Sequence, residues 1–317
     1  MRLWPLRVLA ALLLLAAVAH ASVSLVLARV LDRTLTVGTL AAIFAGLPPQ
    51  DPFALGFRGD PQAALGLAFE TATIATQLGP APAWLVPAAG GPPGLGAIYV
   101  HGIAGAREDG YRHLSVLHAA GIPTLLVTYR NDPDAPPTPD NRYRFGLAEW
   151  EDLDAAMRWM AGRGHSRIVL AAESMGGAIA AQFLARSAEA GRVVALVLDS
   201  PALDGPAVVG NLSAALGIPA PSLFAPTAMR LLALQGGPDL AEAAGLDTVA
   251  GFAGPLFLAQ GTGDRLVPAA IADALLARRL GVTTHLRTDA DHLQSWHAAP
   301  NLYRAELRAF LARLAVP

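Results

Sequence analysis

The chain contains no cysteine and no lysine. The first absence excludes disulfides, thiolate metal sites and a cysteine nucleophile, and it leaves the compartment open. The second makes all 23 basic residues arginine, a coding bias that carries no chemistry. Charge is scarce at 15 % of residues and nearly balanced at a net −2. With no basic stripe to neutralise phosphates, the composition argues against a nucleic-acid partner. Charge runs and internal repeats are absent too. What is plentiful is apolar: 53 % of the residues are hydrophobic, although much of this is alanine, which overstates the core. At 317 residues the chain has room for one large α/β domain, or a domain plus an appendage.

The appendage is legible at the N-terminus. From Val8 to Leu27 the only strongly polar residue is His20, with Arg2 and Arg7 before the run and Arg29 and Arg33 after it. About twenty apolar residues suffice to cross a bilayer as a helix. A cleaved signal peptide is the competing reading, with Val8–Val18 as its apolar core and Ala19-His20-Ala21 as an A-x-A cleavage site. Because the apolar character continues through Leu25, Val26 and Leu27, past that site, an uncleaved single-pass anchor is favoured. The arginine balance puts the N-terminus in the cytoplasm and the rest of the chain outside. The expected division is an anchor over 1–31, a Gly/Pro-rich connector over 32–65, and a folded domain over 66–317.

Within that domain, short apolar runs alternate with helical patterns. Strands are expected at Phe69–Thr76, Ala83–Val86, Ala97–Val100, Thr124–Thr128, Ile168–Ala171, Val193–Leu198, Leu256–Ala259 and Thr283–Leu286. Helices are expected at Ala148–Met160, Ala178–Ala190, Ala269–Leu280 and Leu302–Leu314. In the first of these helices Leu153, Ala156, Met157 and Met160 recur at amphipathic spacing. Such alternation predicts an α/β fold with a parallel sheet covered on both faces. One segment interrupts it. Between Pro206 and Pro238 the only charged residue is Arg230; the length of this insertion suggests a helical lid over about 206–245, and packing of its apolar side chains on the sheet accounts for part of it.

The segment Ile168-Val169-Leu170-Ala171-Ala172-Glu173-Ser174-Met175-Gly176-Gly177 carries the chemistry. A β-branched run stops at a serine, glycines follow, and a helix-forming stretch begins at once. That is the layout of a nucleophile elbow, G-x-S-x-G with Ala172 replacing the first glycine. A serine hydroxyl needs an adjacent base, itself held by a third group. Asp264 sits in Gly261-Thr262-Gly263-Asp264 directly after the Leu256 strand, and His292 in Asp289-Ala290-Asp291-His292 after the last strand. All three fall at C-terminal strand ends, where open α/β sheets place their sites. Asp199, ending the Val193 strand, is a rival acid, and His297 a rival base. Asp289 and Asp291 beside His292 read as a solvated acidic loop rather than metal ligands. Trp150 and Trp159 read as packing residues. The Tyr129–Tyr143 loop either borders the site or is an ordinary crossover.

Together with His101-Gly102 after the third strand, the Gly-x-Gly-Asp-x-x-Val-Pro segment and the His292-Leu293-Gln294-Ser295-Trp296 ending, these residues resemble the α/β-hydrolase superfamily of serine hydrolases. The resemblance runs from about Phe69 to the C-terminus and is greatest to bacterial membrane-anchored, esterase- and lysophospholipase-like members. It implies an eight-stranded, mostly parallel sheet, with Ser174 as nucleophile, His292 as base, Asp264 as orienting acid, and no metal or organic cofactor. It also implies an oxyanion hole from the backbone N–H groups of Met175 and Ile103, with His101 bracing that loop and Glu173 packed below the elbow. The activity expected is hydrolysis of a carboxylic ester, with an acyl or lipid ester as the substrate class. The alternatives are a peptidase or amidase using the same triad, and a non-catalytic binding protein at the membrane.

Overall fold

The computed structural model describes residues 4–43 and 46–315; Arg2, residues 44 and 45 of the connector, and the last two residues lie outside them. The chain opens with a single long helix, α1 (Trp4–Leu35), followed by two short ones, α2 (Thr39–Ile43) and α3 (Pro61–Leu65). An antiparallel pair, β1 (Glu70–Thr76) and β2 (Gly79–Val86), starts the sheet. Strands and helices then alternate as β3 (Leu95–Val100), α4 (Tyr111–Ala119), β4 (Thr124–Val127), α5 (Trp150–Gly162), β5 (Arg167–Glu173), α6 (Met175–Arg186) and β6 (Val193–Asp199). Three helices follow, α7 (Gly205–Ala215), α8 (Pro221–Leu234) and α9 (Leu246–Gly251). The chain closes with β7 (Leu256–Gly261), α10 (Ala270–Arg278), β8 (Thr283–Thr288), α11 (Ser295–Ala298) and α12 (Pro300–Ala312).

The eight strands form one sheet in the order β1-β2-β4-β3-β5-β6-β7-β8. Every neighbouring pair from β4 to β8 is parallel, and β2 joins β4 antiparallel. Because side chains alternate across a strand, each strand feeds two apolar layers. Leu256 and Leu258 of β7 face one layer while Phe257 and Ala259 face the other, and Ile168, Leu170 and Val169 of β5 divide in the same way. Helices α5 to α10 cover the first face, and α4 and α12 the second. Burial on both faces explains why the central strands read as continuous apolar runs.

The largest departure from the expected layout concerns α1. The helix does not end at 31, and its last turns are not a connector. Leu27, Ala28, Leu31 and Leu35 are buried within the first apolar layer, whereas none of the residues from 4 to 23 is buried. The C-terminal end is fastened by Arg142, whose guanidinium donates to Asp32 Oδ1 at 2.7 Å, by the Val37 N–H to Asn141 O at 3.0 Å, and by the Tyr143 N–H to Leu35 O at 2.9 Å. In its second half α1 packs against α8, where His20 Nε2 lies 3.0 Å from Thr227 Oγ1 and the imidazole stacks on Phe224 with centroids 5.2 Å apart.

Within the insertion expected over about 206–245, α7 and α8 form a helical hairpin. Its inner side chains, including Val209, Ala225, Ala228 and Leu232, belong to the core. Asn211 donates to Arg265 O at 2.7 Å, which seats α7 on the loop after β7. Leu31→Ala is expected to lower stability by about 2–5 kcal/mol, because it empties a site only 3 % exposed. Leu13→Ala should leave stability unchanged, since Leu13 is 62 % exposed. Denaturant titration of the full chain in mild detergent, followed by tryptophan fluorescence, checks the contrast.

Candidate active site

Ser174 sits between β5 and α6 with φ 50° and ψ −123°, a left-handed backbone that a non-glycine residue holds only under constraint. The constraints are visible. Its N–H donates to Asp199 O, and its carbonyl accepts from Gly177 and Ala202 N–H, all at 3.0 Å. Space dictates the neighbouring glycine: a Cβ on Gly176 would lie 2.3 Å from Val100 O. Across from the elbow, Gly102 packs so closely that a Cβ there would come within 2.9 Å of Ser174 Cβ. Ala172, the departure from the glycine motif, is fully buried on β5 between Val100 and Leu198, so its methyl group is accommodated within the sheet.

The structure brings the three expected side chains together. His292 Nε2 is 2.9 Å from Ser174 Oγ, and His292 Nδ1 is 2.7 Å from Asp264 Oδ2. The two oxygens of Asp264 are divided between tasks. Oδ1 accepts the backbone N–H groups of Leu266 and Val267 at 2.9 and 2.8 Å, which fixes the carboxylate plane. Oδ2 accepts from Gln260 Nε2 at 3.2 Å and faces the imidazole. A carboxylate held against Nδ1 selects the tautomer with its proton there and leaves the Nε2 lone pair for the serine proton. The rivals are engaged elsewhere. Asp199 is buried and accepts from Tyr303 OH at 3.0 Å, and His297 lies 3.8 Å from Asp51 Oδ2. Asp291 is paired with Arg265, whose hydrogen bonds hold its carboxyl down at about 2. Among the described residues no cluster of His, Asp or Glu has the form of a metal site.

Met175 is the first residue of α6, so its N–H is among those a helix leaves without an internal carbonyl. Ile103 occupies the second position of a turn closed by the Gly105 N–H to Gly102 O bond at 3.1 Å, on the loop that touches Ser174. Backbone N–H groups aimed at a developing oxyanion stabilise it, and Met175 follows Ser174 directly while Ile103 follows Gly102, which packs against it.

That loop is braced by His101, as the resemblance implied, and by Asp132 and Tyr129, which the sequence did not single out for the task. His101 is completely buried, with Nδ1 2.9 Å from Gly102 O and Nε2 2.8 Å from Asp132 Oδ2. Both ring nitrogens face acceptors, which is the pattern of an imidazolium. Burial alone would lower its pKa, but the charge and hydrogen bond of Asp132 outweigh this and raise it to about 8. Tyr129 stacks on the ring at 4.3 Å, and its hydroxyl donates to Gly102 O at 3.0 Å. The Tyr129–Tyr143 loop therefore serves the site at one end and clamps α1 at the other.

Below the elbow Arg112 forks between two flanking residues. One nitrogen donates to Glu173 Oε2 at 2.5 Å, directly before Ser174, and the other to Leu293 O at 2.9 Å, directly after His292. Leu293 is itself held at φ 57°. Burial pushes the Glu173 carboxyl up to about 7 despite the guanidinium. Glu173, expected beneath the elbow, thus joins the fork, and Arg112 carried no periodic or motif signal by which it could have been picked out. Trp150 and Trp159 pack partly buried against the first layer.

The His101–Asp132 pair has a sign in its pH dependence. A histidine whose folded pKa lies above its free value of 6.5 stabilises the fold fully below that value, and the contribution is lost as pH rises through about 8. The expected loss is about 2 kcal/mol. Denaturation of the parent and of Asp132→Asn across pH 6 to 9 (about the range of the two pKa values) should show this decline in the parent alone.

No family model matches the sequence, and no curated protein matches it. Solved structures do. The esterase Pf2001 of Pyrococcus furiosus has a TM-score of 0.64 at 21 % identity, with 84 % of this chain and 96 % of that one covered. A thermophilic esterase of Thermogutta terrifontis, solved with malate bound, has a TM-score of 0.55 at 16 % identity, covering 78 % and 100 %. XC6422 of Xanthomonas campestris, described as an α/β serine hydrolase without a lid, has 0.54 at 17 %, covering 78 % and 96 %. Sheet order, elbow and these likenesses agree: the chain has the α/β-hydrolase fold.

Proposed function

We propose that the protein is a membrane-anchored serine hydrolase that cleaves a carboxylic ester through an acyl-enzyme on Ser174. The observation that carries this reading is the unbroken hydrogen-bond chain from Ser174 Oγ through His292 to Asp264, at 2.9 and 2.7 Å. In the first half-reaction Ser174 Oγ attacks the ester carbonyl while His292 Nε2 takes its proton, and Asp264 stabilises the imidazolium. The carbonyl oxygen becomes an oxyanion held by the Met175 and Ile103 N–H groups. Collapse of this intermediate breaks the bond to the leaving alcohol, which receives the proton from His292. Water then repeats the sequence, giving up its proton to His292, and releases the acid. This chemistry calls on no metal or organic cofactor.

Support for the ester class comes from the fold neighbours, which are named esterases. An acyl or lipid ester is favoured by the apolar α7–α8 hairpin, whose one charged residue is Arg230, seated on the loop of Asp264. The anchor reading is supported by a helix that runs unbroken through Ala19-His20-Ala21, where a cleavable signal would need extended chain, and by its unburied apolar first half. Arg2 and Arg7 before the run, weighed against the Arg29-Asp32-Arg33 flank after it, favour the cytoplasmic N-terminus. Hydrolysis of amides by the same triad is the second reading, because a triad of this geometry serves either leaving group.

A fluorophosphonate probe should label the parent and not Ser174→Ala; an unlabelled but folded parent would defeat the enzyme reading. p-Nitrophenyl esters should be turned over in preference to aminoacyl-anilides, and the reverse order would make the protein an amidase. Asp264→Asn should cut kcat roughly ten-thousand-fold, while Asp199→Asn, which removes no contact to His292, should not approach that loss.

A further inference from the structure

The tip of the α7–α8 hairpin, residues 214–223, consists of Ala, Leu, Gly, Ile, Pro and one Ser, with no charge. It is largely solvent-facing: Leu216 is 52 % exposed and Leu223 62 %. An apolar projection of this kind calls for a covering phase, and the packing of α1 says which. Two pairs of contacts fix how α1 and α8 lie. At the middle of α1 and the start of α8, His20 meets Phe224 and Thr227. Near their ends, Asp32 binds Arg142, and Arg144 of the same loop donates to Gly236 O at 3.3 Å. The two helices therefore run side by side in the same direction, and the tip, which ends in the first turn of α8, lies level with α1 at or before His20.

That level falls inside the apolar run. The unburied stretch of α1, residues 4–23 before Ser24, Leu27 and Ala28 enter the protein interior, is just long enough for a crossing of about twenty residues, so His20 lies towards the domain end of any span that α1 makes. An ionisable residue in that zone needs a partner, and Thr227 Oγ1 supplies one from α8. We infer that the α7–α8 hairpin tip is a second membrane-embedded element, sunk into the lipid leaflet beside α1, with its leucines among the acyl chains and Thr227 satisfying His20. This rests on the reading of α1 as a bilayer anchor. The partner is the lipid itself, taken up through apolar contact without anionic-headgroup selection, since Arg230 is the hairpin's one charged residue.

The cysteine-free chain allows a direct test. Full-length protein is reconstituted into phosphatidylcholine vesicles as single-cysteine variants Leu13→Cys, Leu216→Cys, Leu223→Cys and Leu280→Cys, each carrying an environment-sensitive fluorophore. Leu280 is fully exposed at the opposite, N-terminal edge of the parallel strands. Probes at 216 and 223 should match the probe at 13, with blue-shifted emission that is quenched by spin-labelled lipid and shielded from iodide, while the probe at 280 behaves oppositely. If 13 is in lipid but 216 and 223 follow 280, the inference falls and the anchor stands. Shielding of 216 and 223 from both quenchers would mean that protein, such as a second copy, covers the tip, which also overturns it. A water-exposed 13 would overturn the anchor and the inference together. Because no outcome is read from turnover, fluorophosphonate labelling of the same samples reports separately on Ser174.

Discussion

A serine held in a backbone conformation that it would not adopt in a free chain is the constraint around which this site is built. Strain at such a residue, of order 1–3 kcal/mol, persists only when its surroundings leave no relaxed alternative. Here the sheet supplies one restraint through Asp199 O, the helix start and the Pro201–Ala202 turn supply two more, and the space beside Val100 admits nothing larger than glycine at 176. Arg112 adds a cross-link, because a single buried guanidinium joins the residue before the serine to the residue after the histidine. Two loops that approach from different strands are thereby referenced to one rigid group. Charged partners buried in this way contribute little net stability; what they contribute here is register between Ser174 and His292.

The polar layer continues sideways. His101 carries its charge between Asp132 and the Gly102 carbonyl, and Tyr129 caps the ring. The loop that presents Ile103 is thus held from below by an ion pair and from the side by an aromatic stack. Tyr129 and Asp132 start the long loop whose far end clamps the base of α1, so the edge of the sheet bearing the site and the root of the N-terminal helix share one structural segment.

Much of this was legible in the sequence, for identifiable reasons. The strands announced themselves because parallel strands buried on both faces must be apolar throughout, and the elbow because few backbones other than a sharp strand-to-helix turn require Ser-x-Gly-Gly at that spot. Asp264 and His292 were legible from their position just past strand ends. The second half of α1 was not: an apolar helix left exposed and one bound for a protein core have the same composition, and only packing separates Leu13 from Leu31. Arg112, Tyr129 and Asp132 were illegible as a bracing set, since single polar residues scattered over a helix and a loop leave no periodic trace. The choice of Asp264 over Asp199 beside His292 likewise depended on which carboxylate reached the imidazole in space.

The continuity of α1 has a mechanical consequence. No glycine interrupts it and its one proline is in its first turn, so the exposed half and the half within the core form one stiff rod without a swivel. A flexible tether would let the domain tumble freely about its anchor. With α1 set in a bilayer, as proposed above, a rod fixed in the body of the domain would transmit its own tilt to the sheet and leave only rotation about the membrane normal and gliding in the plane. The sheet edge bearing Ser174 would then sweep a layer at constant height, and the molecules it met would be selected by depth before shape.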